Sequence, residues 1–266
     1  MGIGQSLLEQ DTDSEYDIPQ FPSEDDVVTV RLLLVQLLPR ELVDIIIDEA
    51  EYWVRACIGE RNTGLTALAG TSDDFNCSYC YLLTQSIPLS ENTENDVRKR
   101  PVRVQQIIFT TTSHDQGWGG PEPEELERYG PYHGSWSWFE ASIVRARHAQ
   151  SPAWIKGVRS EPMSLDNLRT EDSTITDAVM VGPPPKRWFI HSNRTADRNF
   201  TQRTTAWSIH DDDIVDDYLL RGRVGKGREF LSLLEPGDRI ALLVRARFPG
   251  WVNYVQDASV EILYSV

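Results

Sequence analysis

The chain of 266 residues is 40% hydrophobic and carries a formal charge of −15. That length and apolar content suit one large domain or two small ones with a sizeable core. The acidic balance lacks the basic footprint of a duplex-binding protein, so no nucleic-acid partner is expected, and no run approaches the ~18 apolar residues that span a bilayer.

Residues 1–26 hold eight acids and no Lys or Arg. Such a segment repels itself and has no core-forming pattern, so it reads as a disordered acidic leader, dispensable for folding. It opens Met1-Gly2-Ile3-Gly4-Gln5-Ser6, which fits the N-myristoylation pattern with Gly2 as acceptor. A single acyl chain beside acidic residues gives only weak, reversible membrane association, and an unmodified tail is the competing reading. No basic region followed by an apolar stretch marks a secretory signal. The three Cys are an odd number, which points to a reducing compartment rather than a disulfide framework. The expected location is cytoplasmic, and peripheral at a membrane if Gly2 is acylated.

Residues 27–59 read as a helical segment packed on a β-domain, with Val27–Leu38 fitting a short preceding helix or a strand. Leu38-Pro39-Arg40-Glu41-Leu42 opens a helix, since Pro suits a first turn. Leu42, Ile45, Ile46, Glu49, Trp53 and Ala56 follow helical spacing, with Ile46 and Trp53 expected to be buried. Gly59 is the expected C-cap. Residues 60–266 read as the β-domain itself. Strands are expected near Ser78–Leu83, Val102–Thr112, Ser135–Val144, Arg187–His191, Thr201–Ile209, Arg239–Arg247 and Val252–Tyr264, where β-branched and aromatic residues alternate between turn clusters. Residues 145–186 form an irregular insertion that includes the stiff Pro183-Pro184-Pro185. The fold class is therefore mainly β: an antiparallel β-sandwich, jelly-roll or galactose-binding-like, with an N-terminal helical segment.

The densest chemistry is Ser113-His114-Asp115-Gln116-Gly117-Trp118-Gly119-Gly120, directly after an apolar strand. An indole that stacks on a sugar ring, with Asp and Gln for its hydroxyls, would make a ligand site there. The structural alternative has Asp115 and Ser113 holding turn N–H groups and Trp118 plugging the sandwich. Ser113, His114 and Asp115 are also the residue types of a hydrolase triad, but three consecutive residues project in different directions, which argues against hydrolysis. Phe248-Pro249-Gly250-Trp251-Val252-Asn253 carries type II turn chemistry and again sets Trp beside Gly. If both loops share one end, His114, Asp115, Gln116, Trp118, Trp251 and Asn253 would frame a ligand-binding cleft. Trp136 and Trp138 share a strand face, as core packing or as an exposed aromatic platform. Cys77-Ser78-Tyr79-Cys80 lacks the further ligands and the common face a zinc site needs. The acidic run from Asp211 to Asp217 lacks a calcium-loop pattern. No metal, no cofactor and no catalytic residues are expected.

Three blocks together resemble a group of largely uncharacterised fungal proteins: Ser113–Gly120; Ser135-Trp136-Ser137-Trp138-Phe139-Glu140; and Pro236-Gly237-Asp238-Arg239-Ile240-Ala241 running on to Arg245-Ala246-Arg247-Phe248-Pro249-Gly250-Trp251-Val252-Asn253. The resemblance spans roughly residues 40–264 and implies no established activity. Separately, residues 38–46 resemble the opening of an F-box, which implies a ubiquitin-ligase adaptor with a Skp1-type partner. The expected function is a non-catalytic recognition module for a protein or carbohydrate ligand, with the adaptor and the hydrolase as alternatives.

Overall fold

A computed structural model describes residues 21–70, 76–89, 102–146, 163–164, 178–211, 216–217, 223–224 and 227–266. Gly2, most of the acidic leader and most of the expected insertion lie outside the described residues.

The chain begins with two helices, α1 (Glu24–Leu34) and α2 (Arg40–Glu49). Helix α1 starts inside the stretch assigned to the leader. Ser23 is its N-cap, and Ser23 and Asp26 form a reciprocal capping box that satisfies two otherwise orphaned N–H groups. The acids Glu24, Asp25 and Asp26 also sit favourably at the positive end of the helix dipole. The expected helix to residue 59 stops at Glu49. Glu51 has φ 49°, and Val54–Arg61 is strand β1, so Gly59 lies within a strand instead of capping a helix.

Then come β2 (Leu65–Leu68), β3 (Asn76–Leu83), β4 (Arg103–His114), α3 (Pro123–Tyr129), β5 (Ser137–Ala146), β6 (Met163–Ser164), β7 (Ala178–Val181), β8 (Trp188–Ser192), β9 (Thr201–Ser208), β10 (Asp216–Asp217), β11 (Arg223–Val224), α4 (Gly227–Leu233), β12 (Arg239–Arg247) and β13 (Val252–Ser265). Strand β7 falls within the expected irregular insertion, where it extends the sheet by pairing with β5.

The strands form two antiparallel sheets. In the first, the order is β1-β13-β4-β9, with β2 sharing the β13 edge beside β1. In the second, the order is β6-β3-β12-β5-β7, with β8 sharing the β5 edge beside β7. Ile107 and Phe109 on β4 and Val260 and Ile262 on β13 meet Phe139 and Ile143 on β5 and Ile240, Leu242 and Val244 on β12 in one buried cluster. Alternation decides this: residues two apart point to the same face, so each long strand gives every second side chain to the space between the sheets. The fold is an antiparallel β-sandwich with N-terminal helices.

Strand register sets the two ends. Tyr254 pairs with His114 at one end of β13, and Ser265 pairs with Arg103 at the other. At the His114 end three connections cross from one sheet to the other: residues 115–136, 193–200 and 248–251. At the Ser265 end lie the two helices. Arg31 is fully buried there, its guanidinium pairing with Asp44 and donating to the main-chain oxygen of Val266 at 2.9 Å. Tyr264 Oη–H donates to Glu24 at 2.8 Å.

Candidate functional site

The crossing loops are organised from within by a buried polar cluster. Ser113 Oγ–H donates to Asn193 Oδ1 at 2.8 Å, and Asn193 Nδ2 donates to Ser137 Oγ and Asn253 Oδ1, both at 3.0 Å. Asn253 Nδ2 donates to the carbonyls of Trp138 and Arg245 at 3.1 and 3.2 Å. Ser113 and Asn253 belong to the first sheet, Ser137 belongs to the second, and Asn193 follows β8 directly, with its N–H donating to the Ser137 carbonyl at 3.0 Å. The cluster ties the sheets together at the loop end and satisfies carbonyls that would otherwise be stranded.

Asp115 does the same for the loops. Its Oδ1 accepts the Gly117 N–H at 2.8 Å and its Oδ2 accepts the Ala196 N–H at 2.6 Å. The side chain is fully buried, and burial raises its pKa above the usual carboxylate value against the opposing pull of those N–H groups. Ala196 is held at φ 58° in that contact.

The expected ligand set therefore divides. Asp115 and Asn253 are fully buried and bonded to their own chain, so they support the loops and offer nothing to a ligand. Trp251 is half-buried against the main core. His114 Nδ1–H donates to the Asp115 carbonyl at 2.6 Å, and its ring stacks on Tyr254 with Phe200 edge-on. Gln116 Nε2 donates to the Trp118 carbonyl at 2.8 Å. Of the six, Trp118 alone is largely exposed, at 57%. The Ser113 hydroxyl and the Asp115 carboxylate bond elsewhere, and His114 meets the Asp115 main-chain carbonyl rather than its carboxylate, so the three side chains form no proton relay.

The two glycine–tryptophan loops do share one end. A Cβ on Gly250 would lie 3.0 Å from Cη2 of Trp118, so the indole rests on the bare backbone of the β12–β13 turn. That turn is type II, with Gly250 at φ 89° and the Trp251 N–H donating to the Phe248 carbonyl at 3.2 Å. Phe248 adopts φ 70°, which a bulky L-residue tolerates only when its surroundings impose it. Its ring meets Trp136 edge-on at 4.6 Å. The exposed Arg247 guanidinium lies 4.9 Å from the Phe248 ring centre and 6.0 Å from that of Trp136. Trp136 and Phe248 are 39% and 37% exposed.

Trp118, Trp136 and Phe248 thus bring three large aromatic side chains to solvent from two adjoining connections. The sequence signal for Trp136 was its strand alternation. Phe248 carried none: its exposure and its positive φ belong to the folded turn.

His191 is fully buried nearby, with its Nε2 3.0 Å from Thr111 Oγ1. Burial, with Arg203 adding, lowers its pKa to about 3, so it is a neutral core residue. Cys77 lies in the inter-sheet cluster and Cys80 in a separate cluster on the other face of β3. Burial pushes their thiols up to about 11 and about 12, away from nucleophilic chemistry. Among the described residues no group of three His, Cys, Asp or Glu is placed to hold a metal ion, and no helix there is long and apolar enough to cross a membrane.

No family model and no curated protein matches this chain. Among solved structures, VP1 of Trichodysplasia spinulosa-associated polyomavirus, in complex with sialylated precision glycooligomers, aligns at 8% identity with a TM-score of 0.11, over 76% of this chain and 98% of that one. A likeness of that size carries no inference about fold or ligand.

Proposed function

We propose that the loop end of the sandwich is a recognition surface and that the protein acts as a non-catalytic binding module for a carbohydrate or protein ligand. The observation that carries this reading is the exposed aromatic group Trp118, Trp136 and Phe248 on loops braced from beneath by Asp115 and the Asn193–Asn253 cluster. Large aromatics are costly to leave in water, and a rigid backing spares the entropy of ordering loops on binding. An indole face beside Arg247 suits the flat apolar side of a sugar ring or a side chain from a partner, with the guanidinium as a polar anchor.

The test is a glycan panel and a pull-down from native extract, run with wild type, Trp118→Ala and Phe248→Ala. Trp118→Ala is expected to abolish ligand capture while the melting temperature stays near wild type. Asn253→Ala is expected instead to destabilise the fold by roughly 1–3 kcal/mol for each polar partner it strands. A ligand bound equally well by wild type and by both aromatic variants would place recognition elsewhere.

A further inference from the structure

The helical end of the molecule carries a second unpartnered surface. Leu32 and Leu33 on α1, Leu37 in the connection, and Leu42, Ile45 and Ile46 on α2 are all exposed, with Leu37 at 81%, Leu33 at 59% and Ile45 at 56%. Helix α2 turns Val43 and Ile47 into the core. Its other apolar residues, at spacings of three and four, therefore form a stripe on the outside. Six large aliphatic side chains in the fifteen residues from Leu32 to Ile46 exceed the scattered exposure normal for a protein surface.

The charge around this stripe selects among possible occupants. Residues 23–51 contain eight acids and two Arg. One of those Arg is Arg31, which is buried and paired with Asp44. The rim is therefore strongly acidic, with Glu41, Glu49, Glu51 and Asp25 exposed. A second copy of the chain would set acidic rim against acidic rim. Residues 1–20 hold five acids and no base, so the chain's own leader is repelled as well. Anionic lipid is repelled for the same reason. An apolar stripe inside an acidic rim complements a segment of opposite pattern.

We infer that the outer face of α1 and α2 docks an amphipathic helix of a partner protein, one whose apolar face is flanked by Lys or Arg. This surface is independent of the aromatic loops. The fourteen residues of β13 separate the two ends, a span of roughly 45 Å at strand rise.

The experiment uses the full chain and two synthetic peptides of about eighteen residues, five helical turns. One carries Leu on one face and Lys on the other, and its counterpart has Glu in place of Lys. At physiological salt the Leu/Lys peptide is expected to bind at least about tenfold more tightly than the Leu/Glu peptide. The double variant Leu37→Gln/Ile45→Gln keeps every charge and changes only exposed positions, so it should fold and should lose about tenfold or more in affinity. Glu41→Gln/Glu49→Gln should weaken the Leu/Lys peptide alone. Equal binding of the two peptides removes the charge complementarity, and undiminished binding by Leu37→Gln/Ile45→Gln reduces the contact to general electrostatics; either result overturns the inference. So does a dimer, seen by light scattering, that the same double variant dissociates. Loss of wild-type binding to phosphatidylserine vesicles in that variant would reassign the face to lipid. Tighter peptide binding after removal of residues 1–20 would assign it to the leader.

Discussion

Trp118 and Gly250 show how one side chain and one missing side chain make a surface together. The indole is exposed, yet it lies where a Cβ on residue 250 would crowd it. Gly250→Ala is therefore expected to cost about 1–2 kcal/mol for its positive φ and to displace Trp118 without removing it. A shift in tryptophan emission with weakened ligand capture checks this. His191 makes a separate prediction from the core. Its folded pKa of about 3 lies below its ordinary value of 6.5. As pH falls below 6.5 the unfolded chain takes up a proton that the folded chain refuses, so stability is lost progressively down to about pH 3. The loss is at most about 1.4 kcal/mol per pH unit in that window. His191→Gln should flatten that part of the stability–pH curve measured by urea unfolding. An unchanged slope would assign the acid sensitivity to other groups.

Among the elements, the helical hairpin is attached by specific contacts at its buried side. Arg31, held between Asp44 and the Val266 main chain, joins α1, α2 and the last strand at one point. Arg31→Met would leave Asp44 without its partner, and the expected loss is up to about 3–5 kcal/mol, lessened by the partial exposure of Asp44. Trp53 and Ile46 separate in the same way. The expectation that both are buried holds for Trp53, at 2%, and fails for Ile46, at 41%. Trp53 is buried although it is not helical, since it leads into β1 and donates to Asp48. Trp53→Ala is expected to cost roughly 3–5 kcal/mol, whereas Ile46→Ala should stay within about 1 kcal/mol. Chemical denaturation of the two variants side by side distinguishes them.

At the scale of the molecule, the sandwich presents different chemistry at its two ends: aromatic loops at one, an apolar stripe in an acidic rim at the other. Their separation means that a variant at one end should leave binding at the other unchanged. The N-terminal boundary is also defined. Truncation to residues 21–266 keeps Ser23 and the capping box and should hold the melting temperature within a few degrees. Truncation to residues 27–266 keeps the buried Val27 but removes the cap and Glu24, the partner of Tyr264. It should cost about 1–2 kcal/mol for the cap and a further ~1 kcal/mol for the lost hydrogen bond. Equal melting temperatures for the two truncations would show that the first turn of α1 contributes nothing.

Strands β4, β5, β9 and β13 were legible from their alternation, and β12 from the unbroken apolar run Ile240–Val244. Val260, Ile262 and Tyr264 could only face one way, and they are buried as a set. The type II turn at Pro249-Gly250 was legible from its two residue types, whose φ preferences match its two central positions. Residues 54–61 were not legible as a strand, because an apolar run continuing a helix looks the same in either period until β13 offers hydrogen bonds along its edge. The buried stripe of α2 lies on the other side from the expected one for a related reason. With apolar residues at 42, 43, 45, 46 and 47, periodicity gives a wide face but not its centre, and the sheet beneath selects Val43 and Ile47. The roles of Asp115 and Asn253 depend on partners 81 and 60 residues away. Composition by itself determined that Ser113–Gly120 is a dense polar and aromatic loop. Tertiary structure alone decided which of its groups face inward to hydrogen-bond and which stay in water, because that choice is made by the neighbours each side chain meets.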